Sequence, residues 1–153
     1  MNESNYIMGI LVIPWFLLLL LDKQRVKRFF TVGLFAALMM TIAYQVAEKM
    51  HWWTVQENVF FLTSMGATIY CLHIVITIFV FYLTYPGFIL YIIVNVILDL
   101  IHGYVIVPFL AKIGLYNLYE ISHFGLFLVM TTVAIILYLF QRLLDFIFEE
   151  IPA

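Results

Sequence analysis

Apolar residues fill the chain in five long stretches, at about residues 6–21, 29–48, 59–84, 87–110 and 121–146. Crossing ~30 Å of hydrocarbon takes about 20 helical residues, so stretches of this length predict transmembrane helices. The expected fold class is all-α: a polytopic membrane helix bundle of five spans, forming a single transmembrane domain over residues 1–153. Local signals refine the pattern. Pro14 bends the first stretch. Gly33, Ala36, Ala37 and Ala43 give the second a small-residue face suited to close helix approach. Tyr85-Pro86-Gly87 is a tight turn between the third and fourth, which makes those two antiparallel neighbours. The fourth is expected to end near Pro108, and a Tyr-rich connection from Lys112 to Glu120 leads into the fifth.

The polar residues inside the fourth stretch are not scattered. Tyr91, Asn95, Asp99 and His102 recur at spacings that place them on one face of one helix. An unpaired charge in hydrocarbon costs at least ~2.5–3.5 kcal/mol, so this face is expected to meet protein or water. At a rise of ~1.5 Å per residue, Asp99 lies about 20 Å and His102 about 24 Å from the end of the span at the Tyr85 turn, and His73 of the third stretch about 15 Å. These residues predict a polar pocket: Asp99, His102 and His73 as its floor with Asn95 and Tyr91, and a rim of Glu48, Glu57, Glu120 and His123. His73 is the expected direct or water-bridged partner of Asp99.

Composition agrees with a membrane protein. Hydrophobic residues make up 66% of the 153-residue chain and charged residues 10%, whereas soluble domains run near ~25% charged. The net charge of −2 carries no nucleic-acid signature. Cys71 stands alone, which excludes an intrachain disulfide and a thiolate metal cluster. The start of the chain, Met1 to Tyr6, is acidic, unlike the basic opening of a signal peptide, so the first stretch is expected to be retained. Lys23, Arg25, Lys27 and Arg28 follow the first stretch and Arg142 closes the last, while Lys49 and Lys112 fall on the opposite side. Excess Lys and Arg marks the cytoplasmic side, which predicts an outside N-terminus and an inside C-terminus in the cell membrane.

Several chemistries suit the expected pocket. An acid beside imidazoles can relay protons near neutral pH. His73, His102, His123 and the carboxylates are ligand types that zinc or iron accepts, although no H-E-x-x-H or E-x-x-H spacing is present. A polar floor beneath an aromatic vestibule suits an amphiphile. No G-x-S-x-G, Cys–His pair or P-loop is present, so neither nucleophilic hydrolysis nor phosphoryl transfer is indicated. Structural roles stand beside these: Asp99 can simply pair with a histidine, Asn95 can be interhelical glue, and the rim groups, with Trp52, Trp53, Tyr82, Tyr85, Tyr116 and Tyr119, can belong to the membrane interface.

The His51-Trp52-Trp53 loop, the Tyr85-Pro86 turn and Gly114-Leu115-Tyr116 before the last span have a familiar arrangement. Together with the region from Pro86 through Leu143, they resemble a group of small multi-pass membrane proteins of spore-forming, Gram-positive bacteria. The group has no established activity, so the resemblance implies a membrane bundle and nothing further. The chain departs from the group's pattern at Val107, where a Glu is expected, and at Glu120-Ile121-Ser122-His123, where Trp-Lys-His is expected. A fainter likeness, to the helical membrane domains of carotenoid cyclases, rests on the same Trp loop and acidic rim.

The leading expectation is a binding or accessory membrane subunit with a cavity centred on Asp99, His102 and His73. Its partners would be the lipid bilayer and a second protein or a second copy of the chain, with no nucleic acid. The sequence leaves the cofactor and any bound metal open. An intramembrane enzyme acting on a lipid or isoprenoid, with Asp99 or Glu120 as general acid or base, is the alternative from another class. A proton- or cation-coupled transporter is the third.

Overall fold

The basic residues that follow the first apolar stretch are helical. In the computed structural model, which describes residues 14–55, 71–112, 114 and 116–149, helix α1 runs from Lys23 to Lys49. Asp22 caps it, its carboxylate accepting from the Arg25 amide at 3.0 Å, which satisfies a first-turn donor. The helix that holds the expected second span therefore begins at Lys23 rather than near residue 29. Lys, Arg and Gln are good helix formers; charge sets where a helix leaves hydrocarbon, not where it starts. Ahead of α1, residues 14–18 are helical, and the Leu19 amide bonds the Phe16 carbonyl at 3.1 Å as the chain turns toward Asp22. Residues 6–13 of the expected first span lie outside the described residues.

Helix α2 covers Leu72–Thr84. The earlier part of the expected third span, with Glu57, also lies outside the described residues. The chain reverses at Tyr85-Pro86-Gly87, where the Gly87 amide bonds the Thr84 carbonyl at 2.8 Å, and α3 follows over Phe88–Ile101. A π-helical turn spans His102–Ile106 and passes into α4, Val107–Lys112. Pro108 therefore does not end this helix. A proline ring clashes with the carbonyl four residues back and offers no amide proton, and one wide turn accommodates both. The Val107 amide reaches back to the His102 carbonyl. The next donor in that register would be residue 108, which has none, so the Gly103 carbonyl is left for a partner from elsewhere. Gly114, at φ +76°, ends α4, a conformation that favours glycine. Helix α5 covers His123–Glu149.

Three of these helical segments are long and apolar enough to cross a membrane: Lys23–Lys49, Phe88–Lys112 and His123–Phe148. Between α1 and α2, strand β1 (Trp53–Val55) pairs antiparallel with β2 (Tyr116–Leu118), with Trp53 opposite Leu118 and Val55 opposite Tyr116. The pair ties the connection after α1 to the connection after α4. At the other end of the helices, Arg28 of α1 and Asp145 of α5 form a 2.8 Å ion pair, and the Tyr85 hydroxyl also donates to Asp145.

α1 packs on α2 and α5, and α3 packs on α2 and α5. One core cluster joins Phe29, Val32, Ala36, Ile78, Phe81 and Tyr91 with Leu137 and Tyr138. A second lies toward the strands around Met40, Ala47, Trp53, Val107, Tyr116 and Leu126. At Gly33 a Cβ would come within 2.9 Å of Ile78 Cγ1, so α1 and α2 meet there without room for a side chain. The outward faces are as apolar as the core: Ile89 is 76% exposed and Val105 62%. An outer surface of this kind suits acyl chains rather than water.

Candidate functional site

Helix α3 carries Tyr91, Asn95 and Asp99 along one side, and His102 continues that side into the π-turn. All four line a single cavity of about 310 Å³, together with His73 of α2. α1 contributes Met40 and Tyr44, and α5 contributes Met130, Val133, Ala134 and Leu137. The polar stripe thus faces the other helices, and the residues proposed as a floor share one space. The size lies at the lower end for small-molecule sites, and a mostly apolar wall with a few polar groups is their usual make-up.

Each polar group has its own surroundings. The Tyr91 ring is buried and its hydroxyl donates to the Ala134 carbonyl at 2.9 Å, which locks α3 to α5. The Asn95 amide donates to the Tyr91 carbonyl of its own helix at 2.8 Å, so its Nδ2 is taken locally. Thr131 Oγ1 of α5 donates to Asp99 Oδ2 at 3.0 Å. The hydrogen bond that holds Asp99 therefore comes from Thr131, not directly from His73. Nε2 of His73 and Nε2 of His102 are both buried without a hydrogen-bond partner among the described residues. Leaving such a group unmatched costs on the order of 1–3 kcal/mol, so two in one cavity is the feature that most needs an explanation.

The expected rim does not assemble around this space. Glu48 is exposed at the end of α1, Glu120 is exposed before α5, and neither lines the cavity. His123 has a structural task instead. Its Nδ1 lies 2.8 Å from the Gly103 carbonyl; a carbonyl only accepts, so this nitrogen carries the proton. His123 thereby fills the vacancy that Pro108 creates in the helix, and its ring also lies 5.7 Å from that of Tyr104. Glu57 lies outside the described residues.

Sequence reasoning missed Met40, Tyr44 and Met130 as cavity residues and Thr131 as the partner of Asp99. Two adjacent hydroxyls in an apolar helix give no periodic signal, and Thr132 bonds its own helix at the Leu128 carbonyl, so sequence alone does not tell the two apart. Among the described residues, no group of three His, Cys, Asp or Glu side chains is placed to hold a metal ion. What the cavity can do is accept an apolar body and offer hydrogen bonds at one wall.

No protein family, no curated protein and no solved structure matches this chain.

Proposed function

We propose that the protein is a five-span membrane protein, N-terminus outside and C-terminus inside, that binds a small amphiphile in the cavity between α1, α2, α3 and α5, as a binding or accessory subunit. The strand pair and the Arg28–Asp145 pair support an alternating topology, because they gather successive helix ends at two opposite sides. Lys23, Arg25, Lys27, Arg28 and Arg142 all belong to the Asp145 side, which argues for that side being cytoplasmic. The polar wall then lies in the middle and outer part of the bilayer.

The observation that carries the binding reading is the pair of imidazole nitrogens, without a partner among the described residues, on side chains lining a mostly apolar cavity. A ligand with a hydroxyl, carbonyl or other hydrogen-bonding head would satisfy them, and its hydrocarbon portion would meet Ile76, Val80, Leu98, Val133 and Leu137. Native mass spectrometry of protein extracted in mild detergent tests this. A retained small molecule is expected on the parent and its loss on His73→Leu/His102→Leu, with fold retention checked by circular dichroism. A parent that carries nothing beyond bulk phospholipid would sink the proposal. A metal retained at the histidines would move the reading toward an intramembrane enzyme, and a pH-driven conformational change without ligand toward coupled transport.

A further inference from the structure

A second cavity, of about 430 Å³, lies at the opposite end of the helices from the strand pair, against Arg25, Arg28, Phe29, Tyr85, Arg142 and Asp145. Arg25 and Arg28 come from the first turns of α1, and Arg142 from the last turns of α5. Guanidinium groups repel one another, so bringing them around one space needs counter-charge. The carboxylate lining this cavity is Asp145, and it is already heavily used. It accepts from Arg28 Nη2 at 2.8 Å, from Gln141 Nε2 at 2.9 Å and from the Tyr85 hydroxyl. Burial and the Asp145 carboxylate push the Tyr85 hydroxyl up to about 12, so it stays a donor at physiological pH. Arg25 and Arg142 form no ion pair among the described residues, and Arg142 is held toward the Tyr85 hydroxyl, with Asp145 a weaker attraction. Arg25 is instead held over the Tyr82 ring, its Cζ 4.5 Å from the centroid, a contact that orients the guanidinium without neutralising it.

We infer that this cavity is a binding site for the phosphate headgroup of an anionic phospholipid. The planar fork of arginine matches phosphate oxygens in pairs, and basic pockets between helices on the cytoplasmic side are the usual place for such headgroups. The choice of a lipid over a free phosphate rests on the cavity's other wall. Phe146 lines it and is 63% exposed, and Leu83, Phe88 and Leu143 are exposed apolar side chains at the same end of the helices. A headgroup seated between the arginines would leave its acyl chains against these side chains. The inference does not depend on the cavity around Asp99 having a ligand.

The test uses the full chain, purified and delipidated in detergent, then mixed with equal amounts of phosphatidylglycerol and phosphatidylcholine of matched chain length. Native mass spectrometry is expected to show at least tenfold preferential retention of phosphatidylglycerol. Arg25→Gln/Arg142→Gln should abolish the preference. Lys23→Gln/Lys27→Gln removes the same charge from α1 side chains that do not line the cavity, and should retain it; circular dichroism confirms that each variant is folded. Equal retention by the parent and the arginine variant, or an equal loss in the lysine variant, would overturn a defined site. Displacement of the lipid by low millimolar inorganic phosphate would overturn the lipid assignment in favour of a free phosphate.

Discussion

Replacing His123 by Phe keeps an aromatic ring beside Tyr104 but removes the Nδ1 donor that lies 2.8 Å from the Gly103 carbonyl. Gly103 is buried, and the Val107 amide is committed to His102, so no backbone donor replaces it. Interhelical hydrogen bonds in membranes average ~0.6 kcal/mol and reach ~1.7, and a buried acceptor left unmatched costs about 1–3 kcal/mol. The expected loss is about 1.5 kcal/mol, close to tenfold in the unfolding equilibrium. Reversible unfolding in mixed micelles, followed by tryptophan fluorescence, measures it. The sharper test is the same substitution in a Pro108→Ala background. Alanine restores an amide at residue 108, which can serve Gly103 directly or let the π-turn relax so that Val107 does. His123→Phe should then cost less than about 0.5 kcal/mol, a coupling of roughly 1 kcal/mol between residues in one network. An equal cost in both backgrounds would refute the account of why this histidine is there.

Other substitutions probe separate contacts. Thr131→Val removes the donor to Asp99 and should destabilise by about 1 kcal/mol, while Thr132→Val, whose hydroxyl bonds its own helix, should stay within about 0.5 in the same unfolding measurement. Gly33→Val forces atoms into Ile74 and Ile78 and should cost about 1–3 kcal/mol by overpacking; a neutral result would mean that α1 and α2 can separate freely. In a Cys71→Ser background, cysteine at position 54 should label from outside intact cells and cysteine at position 24 should not; the reverse would invert the topology. Tyr85 has its hydroxyl raised from 10.0 to about 12 by burial and by Asp145. A raised folded value means that its stabilising contribution is whole below about pH 10 and is lost as the pH rises through about 12. The stability gap between the parent and Tyr85→Phe should therefore be flat across neutral pH and shrink above about pH 10.

What could be read from the sequence follows from which interactions are local. The stripe from Tyr91 to His102 was legible because a helix converts spacing into a shared face, and that face does line a cavity with His73. The small residues of α1 were legible for the same reason: Gly33, Ala36 and Ala37 are buried in the bundle. The partner of Asp99 was not. Thr131 lies on another helix, and nothing in the order of residues selects its hydroxyl over that of Thr132. Arg28 and Asp145 are still further apart in the chain, so their pairing needed the fold. Pro108 was visible but read as a stop, because sequence rules assign proline a break rather than a wider turn. That misreading also hid His123, whose role exists only because the turn frees a carbonyl. The strands were too short for an alternating pattern to register.

On the proposed function, a ligand in the cavity beside Asp99 bonds the two histidines that have no partner among the described residues. The most direct measurement is an experimental structure of the protein extracted in mild detergent, obtained by electron cryomicroscopy with a rigid antibody fragment as a fiducial. Non-protein density is expected in the space of about 310 Å³, with a polar atom within hydrogen-bond reach of His73 Nε2 or His102 Nε2. A cavity filled by the protein's own side chains, or one in which ordered water alone meets both histidines, would contradict it.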